Sequence, residues 1–95
     1  MIELTSPRFH LGQLVATPGA IRALDQAGIT AWSLVSRHLS GDWGDCDKQD
    51  RQANEDALIY GDRVFSAYAL PTGEKLWVVT EADRRSTCVL TPEEY

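Results

Sequence analysis

The stretch 38–56 reads HLSGDWGDCDKQDRQANED. Its first residues carry a helix to its end: His38 falls on the helical face of Ala31, Leu34 and Val35, and Gly41 stops the run. Residues 41–44, Gly-Asp-Trp-Gly, have turn composition, and the Trp43 indole is large enough to anchor the loop by folding onto a core. A new helix opens near Asp47, whose carboxylate can cap the free first-turn amides. Asp50 then places negative charge where the helix dipole favours it. Read as helix, loop and helix, this segment makes the front of the chain helical and leaves the sheet to the residues beyond Gly61.

Going back toward the N-terminus, Thr30 caps the second helix, and Ile29 and Leu34 have the spacing of a hydrophobic staple. An earlier helix starts at Thr17-Pro18, since proline at the first helical position loses nothing by lacking an N–H. Ala20, Ile21, Leu24 and Ala27 form its apolar face, and Gly28 ends it. Two short helices joined this tightly make a helical hairpin or corner. Before them RFHLGQLVA is β-leaning but broken by Gly12, which predicts a short strand at 14–16 with a bulge at the glycine. Residues 1–7 read as a lead-in.

Going forward, the third helix carries Ala53, Ala57 and Tyr60 as its apolar stripe, and Gly61 ends it. From Arg63 the period becomes alternating: RVFSAYAL, KLWVVTE and TCVLT read as strands, separated by a PTGE turn and a polar ADRRS connection. Those connections are too short for parallel crossovers, so the three strands form an antiparallel meander. The expected fold class is α+β: three short helices packed on one face of a small antiparallel β-sheet, with an edge left for the N-terminal strand, in a single domain over residues 1–95.

A hydrophobic fraction of 43% with three tryptophans describes a packed globule, and 95 residues suffice for one modest core. The net charge of −5 argues against binding nucleic acid or an anionic membrane, and suits a protein that meets a basic partner. No apolar run approaches the roughly 18 residues of a membrane span, and MIELTSPRFH lacks the basic start and long apolar run of a signal peptide. A cytoplasmic monomer is therefore expected. Cys46 and Cys88, without CxxC spacing, read as free thiols.

The charge is unevenly placed. Residues 42–56 hold Asp42, Asp45, Asp47, Asp50, Glu55 and Asp56 against Lys48 and Arg51. Carboxylates repeated like the phosphates of a nucleic-acid strand suit a Lys/Arg groove built for DNA. The plainer reading is a solvated acidic face with dipole-favourable caps. Other chemistries fail on detail. Asp45, Asp47, Asp50 and Asp56 miss the calcium-loop pattern, since Gln49 replaces a ligand and Asp50 replaces the turn glycine. His38, Asp42 and Cys46 lack a fourth zinc ligand. Cys46 or Ser66 as nucleophile would need His10 or His38 as base, and no flanking motif supports either. Glu81, Asp83 and Arg84, with Arg63, suit acid–base work or, more plainly, turn-closing ion pairs.

Taken together, LGQLVATPGA, RHLSGDWGD, ANEDAL, GDRVFSAY, WVVTEADRRST and PEEY span residues 11–95. This set resembles a family of small bacterial mobile-element proteins from phages and plasmids, and is similar to the anti-CRISPR proteins that act on type I-C systems. The resemblance implies a non-enzymatic inhibitor, without cofactor or metal, that binds the basic DNA-binding surface of a Cascade complex. The contact set expected from charge is Asp42, Asp45, Asp47, Asp50, Glu55 and Asp56, with Asp83 as an outlier and Trp43 holding the loop. The alternative is a ligand-binding or catalytic site around His38, Arg63, Glu81, Asp83 and Arg84, which convergence in one concavity would support.

Overall fold

Each helix begins at the residue read as its cap. Thr17, Thr30 and Asp47 accept backbone N–H groups of Ala20, Ser33 and Asp50 at the starts of α1 (Pro18–Ala27), α2 (Ala31–Ser40) and α3 (Lys48–Tyr60). The strands are β1 (Gln13–Ala16), β2 (Val64–Ala69), β3 (Lys75–Thr80) and β4 (Ser86–Leu90), followed by a one-turn 3₁₀ helix at Pro92–Glu94. The computed structural model describes residues 7–95, so the expected lead-in lies outside the described residues apart from Pro7. No described helix is long and apolar enough to cross a membrane.

The fold is α+β, and β2, β3 and β4 form the antiparallel meander. The sheet as a whole is mixed: its order is β1-β4-β3-β2, and β1 joins β4 in parallel, Gln13 opposite Ser86 and Ala16 opposite Val89. The meander connections say nothing about β1. Three helices and two strands separate it from β4, ample length for the crossover that parallel pairing needs. At Gly12 (φ 66°) the chain runs so close to the Arg84 and Arg85 carbonyls that a Cβ would collide with them.

Alternation along the strands gives the sheet two faces. One presents Tyr68, Leu76, Val78 and Val89 to Ala20, Ala23 and Leu24 of α1 and Leu34, Val35 and Leu39 of α2. A second cluster joins Trp43, Cys46, Ala57, Val64 and Ala67 where α3 meets β2. On the other face the Trp77 ring lies between Phe65 (5.0 Å) and Tyr95 (5.4 Å).

Two apolar stripes differ from expectation. Ile21 is 57% exposed, and α1 buries Ala23 instead. In α3, Ala53 and Tyr60 face solvent while Asn54 and Ala57 are buried. The reason is Asn54: its side-chain amide donates to the Phe65 carbonyl (2.5 Å) and accepts from the Phe65 N–H (3.0 Å), occupying the edge of β2 as another strand would. That double bond fixes the rotation of α3.

The 41–45 loop completes the cover of this edge. Ala67 N donates to Trp43 O (3.2 Å) and Asp45 N donates to Ala67 O (2.7 Å), so Gly44 adds a single rung beside Ala67. Gly44 has φ 73°, and a Cβ there would strike the Ala67 carbonyl and the Tyr68 ring. Gly44→Ala is expected to destabilise the fold by about 3 kcal/mol, read as a lower urea midpoint at unchanged slope. An unchanged midpoint would show that the rung is not needed.

Candidate binding surface

Acid by acid, the 42–56 segment divides into two groups. The first is spent within the molecule. The Asp42 carboxylate accepts from Arg37 Nε at 2.7 Å and from Gly44 N at 3.2 Å. The Tyr68 hydroxyl donates to the Asp42 carbonyl (2.6 Å), and the Arg37 guanidinium lies 4.5 Å from the Tyr68 ring centroid. Burial pushes the Tyr68 phenol up to about 12. Glu55 takes both Arg8 amino groups (2.8 and 3.0 Å) and the Trp43 indole N–H (3.1 Å). The Arg37 and Arg8 hydrogen bonds hold the Asp42 and Glu55 carboxyls below the usual carboxylate range. Trp43 is 5% exposed and does anchor the loop.

The second group is Asp45, Asp47, Asp50 and Asp56, all exposed and, among the described residues, in no ion pair. Asp45 follows the Gly44 rung and donates its N–H to Ala67 O, Asp47 caps α3, and Asp50 lies in its first turn. Burial pushes the Cys46 thiol up, and the nearby Asp50 and Asp47 charges push it the same way. Asp56 lies farther along α3, where Gln52 donates to it (3.1 Å). Of the segment's two cations, Lys48 is exposed and Arg51 turns back onto the carbonyls of Cys46 (2.9 Å) and Gly44 (3.2 Å). Asp83 stands apart, its carboxylate accepting from Arg85 N (3.0 Å) in the β3–β4 connection.

The alternative set divides into one buried residue, His38, and a surface cluster at the β3–β4 connection. His38 is fully buried, with Nδ1 at 2.6 Å from Ser66 Oγ and Nε2 at 2.9 Å from Thr80 Oγ1. Thr80 Oγ1 lies 2.7 Å from Thr87 Oγ1, and Thr87 donates to the Leu11 carbonyl (2.7 Å). That last bond fixes every proton in the relay. Thr87 has spent its hydrogen, so Thr80 donates to Thr87. His38 Nε2–H therefore donates to Thr80, and Ser66 donates to Nδ1. The imidazole is neutral, and burial pulls its pKa down to about 4. Ser66 has a histidine partner after all, and both residues are 0% exposed.

Arg63 and Glu81 meet on the surface at 3.8 Å, and Arg63 also donates to the Tyr95 hydroxyl. The Arg84 guanidinium donates to the carbonyls of Asp62 (2.6 Å), Glu81 (3.0 Å) and Ala57 (3.1 Å). It closes the C-terminal end of α3 onto the β3–β4 turn, and Arg84 itself holds φ 60°. An open groove of about 760 Å³ is lined by residues 7–12, Trp32 and Leu39, and none of these five polar residues lines it. Cys46 and Cys88 are free thiols.

Sequence reasoning placed Thr80 among the polar positions of the resemblance and missed Asn54, Thr87 and the exposure of Ile59 and Tyr60. Asn54 had a signal, a polar residue within the inward phase of ANEDAL. Thr87 had none, because only strand register sets it opposite Thr80.

Fold and surface together define a small α+β domain with a mixed four-stranded sheet and an acidic loop–helix edge. Comparison with models of protein families, with curated proteins and with solved structures found no match.

Proposed function

We propose that this chain is a non-enzymatic inhibitor from a mobile element. In this reading it is an anti-CRISPR protein that binds a type I-C Cascade complex in the bacterial cytoplasm and keeps target DNA from its basic surface. The observation that carries the reading is the division among the carboxylates. Asp42 and Glu55 are committed to Arg37 and Arg8, whereas Asp45, Asp47, Asp50 and Asp56 are exposed and, among the described residues, make no ion pair. Exposed carboxylates of this kind gain electrostatic attraction from a Lys/Arg groove and compete there with phosphates. The commitment of His38, Ser66 and Arg84 to internal hydrogen bonds supports binding over catalysis.

The test is co-purification from cells carrying a type I-C complex, with phage plating as readout. The chain is expected to co-purify with Cascade and to restore plating. Failure of both ends the proposal.

A further inference from the structure

We infer that the outward face of α3 is the apolar anchor for the same kind of partner, with Ile59 and Tyr60 entering an apolar depression beside a cationic groove. This rests on the reading of the chain as a binder of a basic protein surface. α3 turns Asn54, Ala57 and the half-buried Leu58 inward, and its opposite side carries Gln52, Asp56, Ile59 and Tyr60. Ile59 is 73% exposed and Tyr60 75%, the two most exposed large hydrophobic side chains among the described residues. Residues three and four apart on a helix are neighbours, so Asp56 adjoins both. Asp62 follows two residues after Tyr60, and no basic residue stands in the last turn of α3.

This mixture fixes the partner's chemistry. Covering Ile59 and Tyr60 takes Asp56 out of water as well, which is costly unless the partner supplies a cation there. A partner with an apolar hollow and a Lys/Arg rim meets both needs. A second copy of this chain does not: it brings like charges together between molecules of net charge −5. Asp47 and Tyr60 stand roughly 20 Å apart along the helix, within one interface of standard size. In such interfaces aromatic and aliphatic anchors set the dissociation rate, and exposed charges set salt dependence and association rate.

The experiment measures binding to purified type I-C Cascade over a range of salt concentrations for the parent chain, an Ile59→Ala/Tyr60→Ala variant, and a variant with Asp45, Asp47, Asp50 and Asp56 changed to Asn. Both anchor residues are exposed, so the double variant keeps the parent's unfolding midpoint. It is expected to bind at least about 30-fold more weakly, through faster dissociation, with the parent's salt slope. The amide variant is expected to lose much of that slope. A double variant within about threefold of the parent overturns the inference and leaves the acidic reading standing. Loss of binding in the double variant alone contradicts the acidic reading and overturns the inference in its stated form, since no cationic groove would then stand beside the anchor. A parent chain that does not bind Cascade removes that reading and the inference with it. A parent that sediments as a dimer, made monomeric by the double variant, overturns the inference in favour of self-association.

Discussion

Replacing His38 by leucine is expected to cost about 4 kcal/mol of folding stability, because the Ser66 hydroxyl is left buried without its acceptor and the Thr80 oxygen loses its donor, keeping only Thr87. Both residues are 0% exposed, so water does not substitute. The decisive control is His38→Leu combined with Ser66→Ala and Thr80→Val. Removing His38 together with both hydroxyls that bond it leaves Thr87 its bond to the Leu11 carbonyl, and is expected to recover more than half of the loss. If the triple variant is as unstable as the single one, packing and not hydrogen bonding gives His38 its importance.

The same histidine sets an acid limit. Its folded pKa of about 4 lies below the ordinary value of 6.5, so the unfolded chain binds the proton more readily. Its contribution is therefore complete above pH 6.5 and is lost as the pH falls from there through 4. Glu94 acts lower: its carboxylate accepts from Thr17 and from Gly19 N at the start of α1, and the Thr17 hydroxyl foremost holds its pKa down to about 2. That contribution is present above pH 4.5 and fades as the pH falls from there through 2. Urea midpoints that decline between pH 6.5 and 5 in the parent, and not in the triple variant, would assign the upper window to His38.

Arg84→Ala is expected to cost about 3 kcal/mol, and Arg84→Gly about 1 kcal/mol less. Either change removes charged hydrogen bonds to carbonyls of α3 and of the β3–β4 turn, one of them the Ala57 carbonyl in the last turns of the helix. The two differ because φ is 60° at this position, which a Cβ disfavours and glycine adopts freely. Alanine at parental stability would mean that the guanidinium holds nothing together. Alanine more stable than glycine would mean that the turn relaxes when Arg84 is removed.

Much of this was legible in the chain because it is local. Thr17, Thr30 and Asp47 mark helix starts by side-chain chemistry that acts over three residues, and the change from helical to alternating period at Arg63 needs no tertiary information. The Trp43 anchor followed from an indole in a glycine-flanked turn. The parallel pairing of β1 was not legible, since orientation there depends on where a long crossover returns. Nor was the rotation of α3: Ala53, Ala57 and Tyr60 describe a sound stripe, and the Asn54 clamp on Phe65 overrides it. The acids were legible as a group and not as individuals. Composition gives their number, but Arg8 lies far from Glu55 in sequence, and only the fold brings them to 2.8 Å.

The most direct measurement is competition between this protein and target duplex DNA for purified type I-C Cascade. Two forms are compared: the parent, and the chain with Asp45, Asp47, Asp50 and Asp56 changed to Asn. Asparagine at 47 keeps the cap on α3, so the fold is preserved while the charge is removed. The parent is expected to displace the duplex with an affinity that falls as salt rises, and the amide form to displace it at least about tenfold less well. An amide form that competes as strongly as the parent would contradict the account.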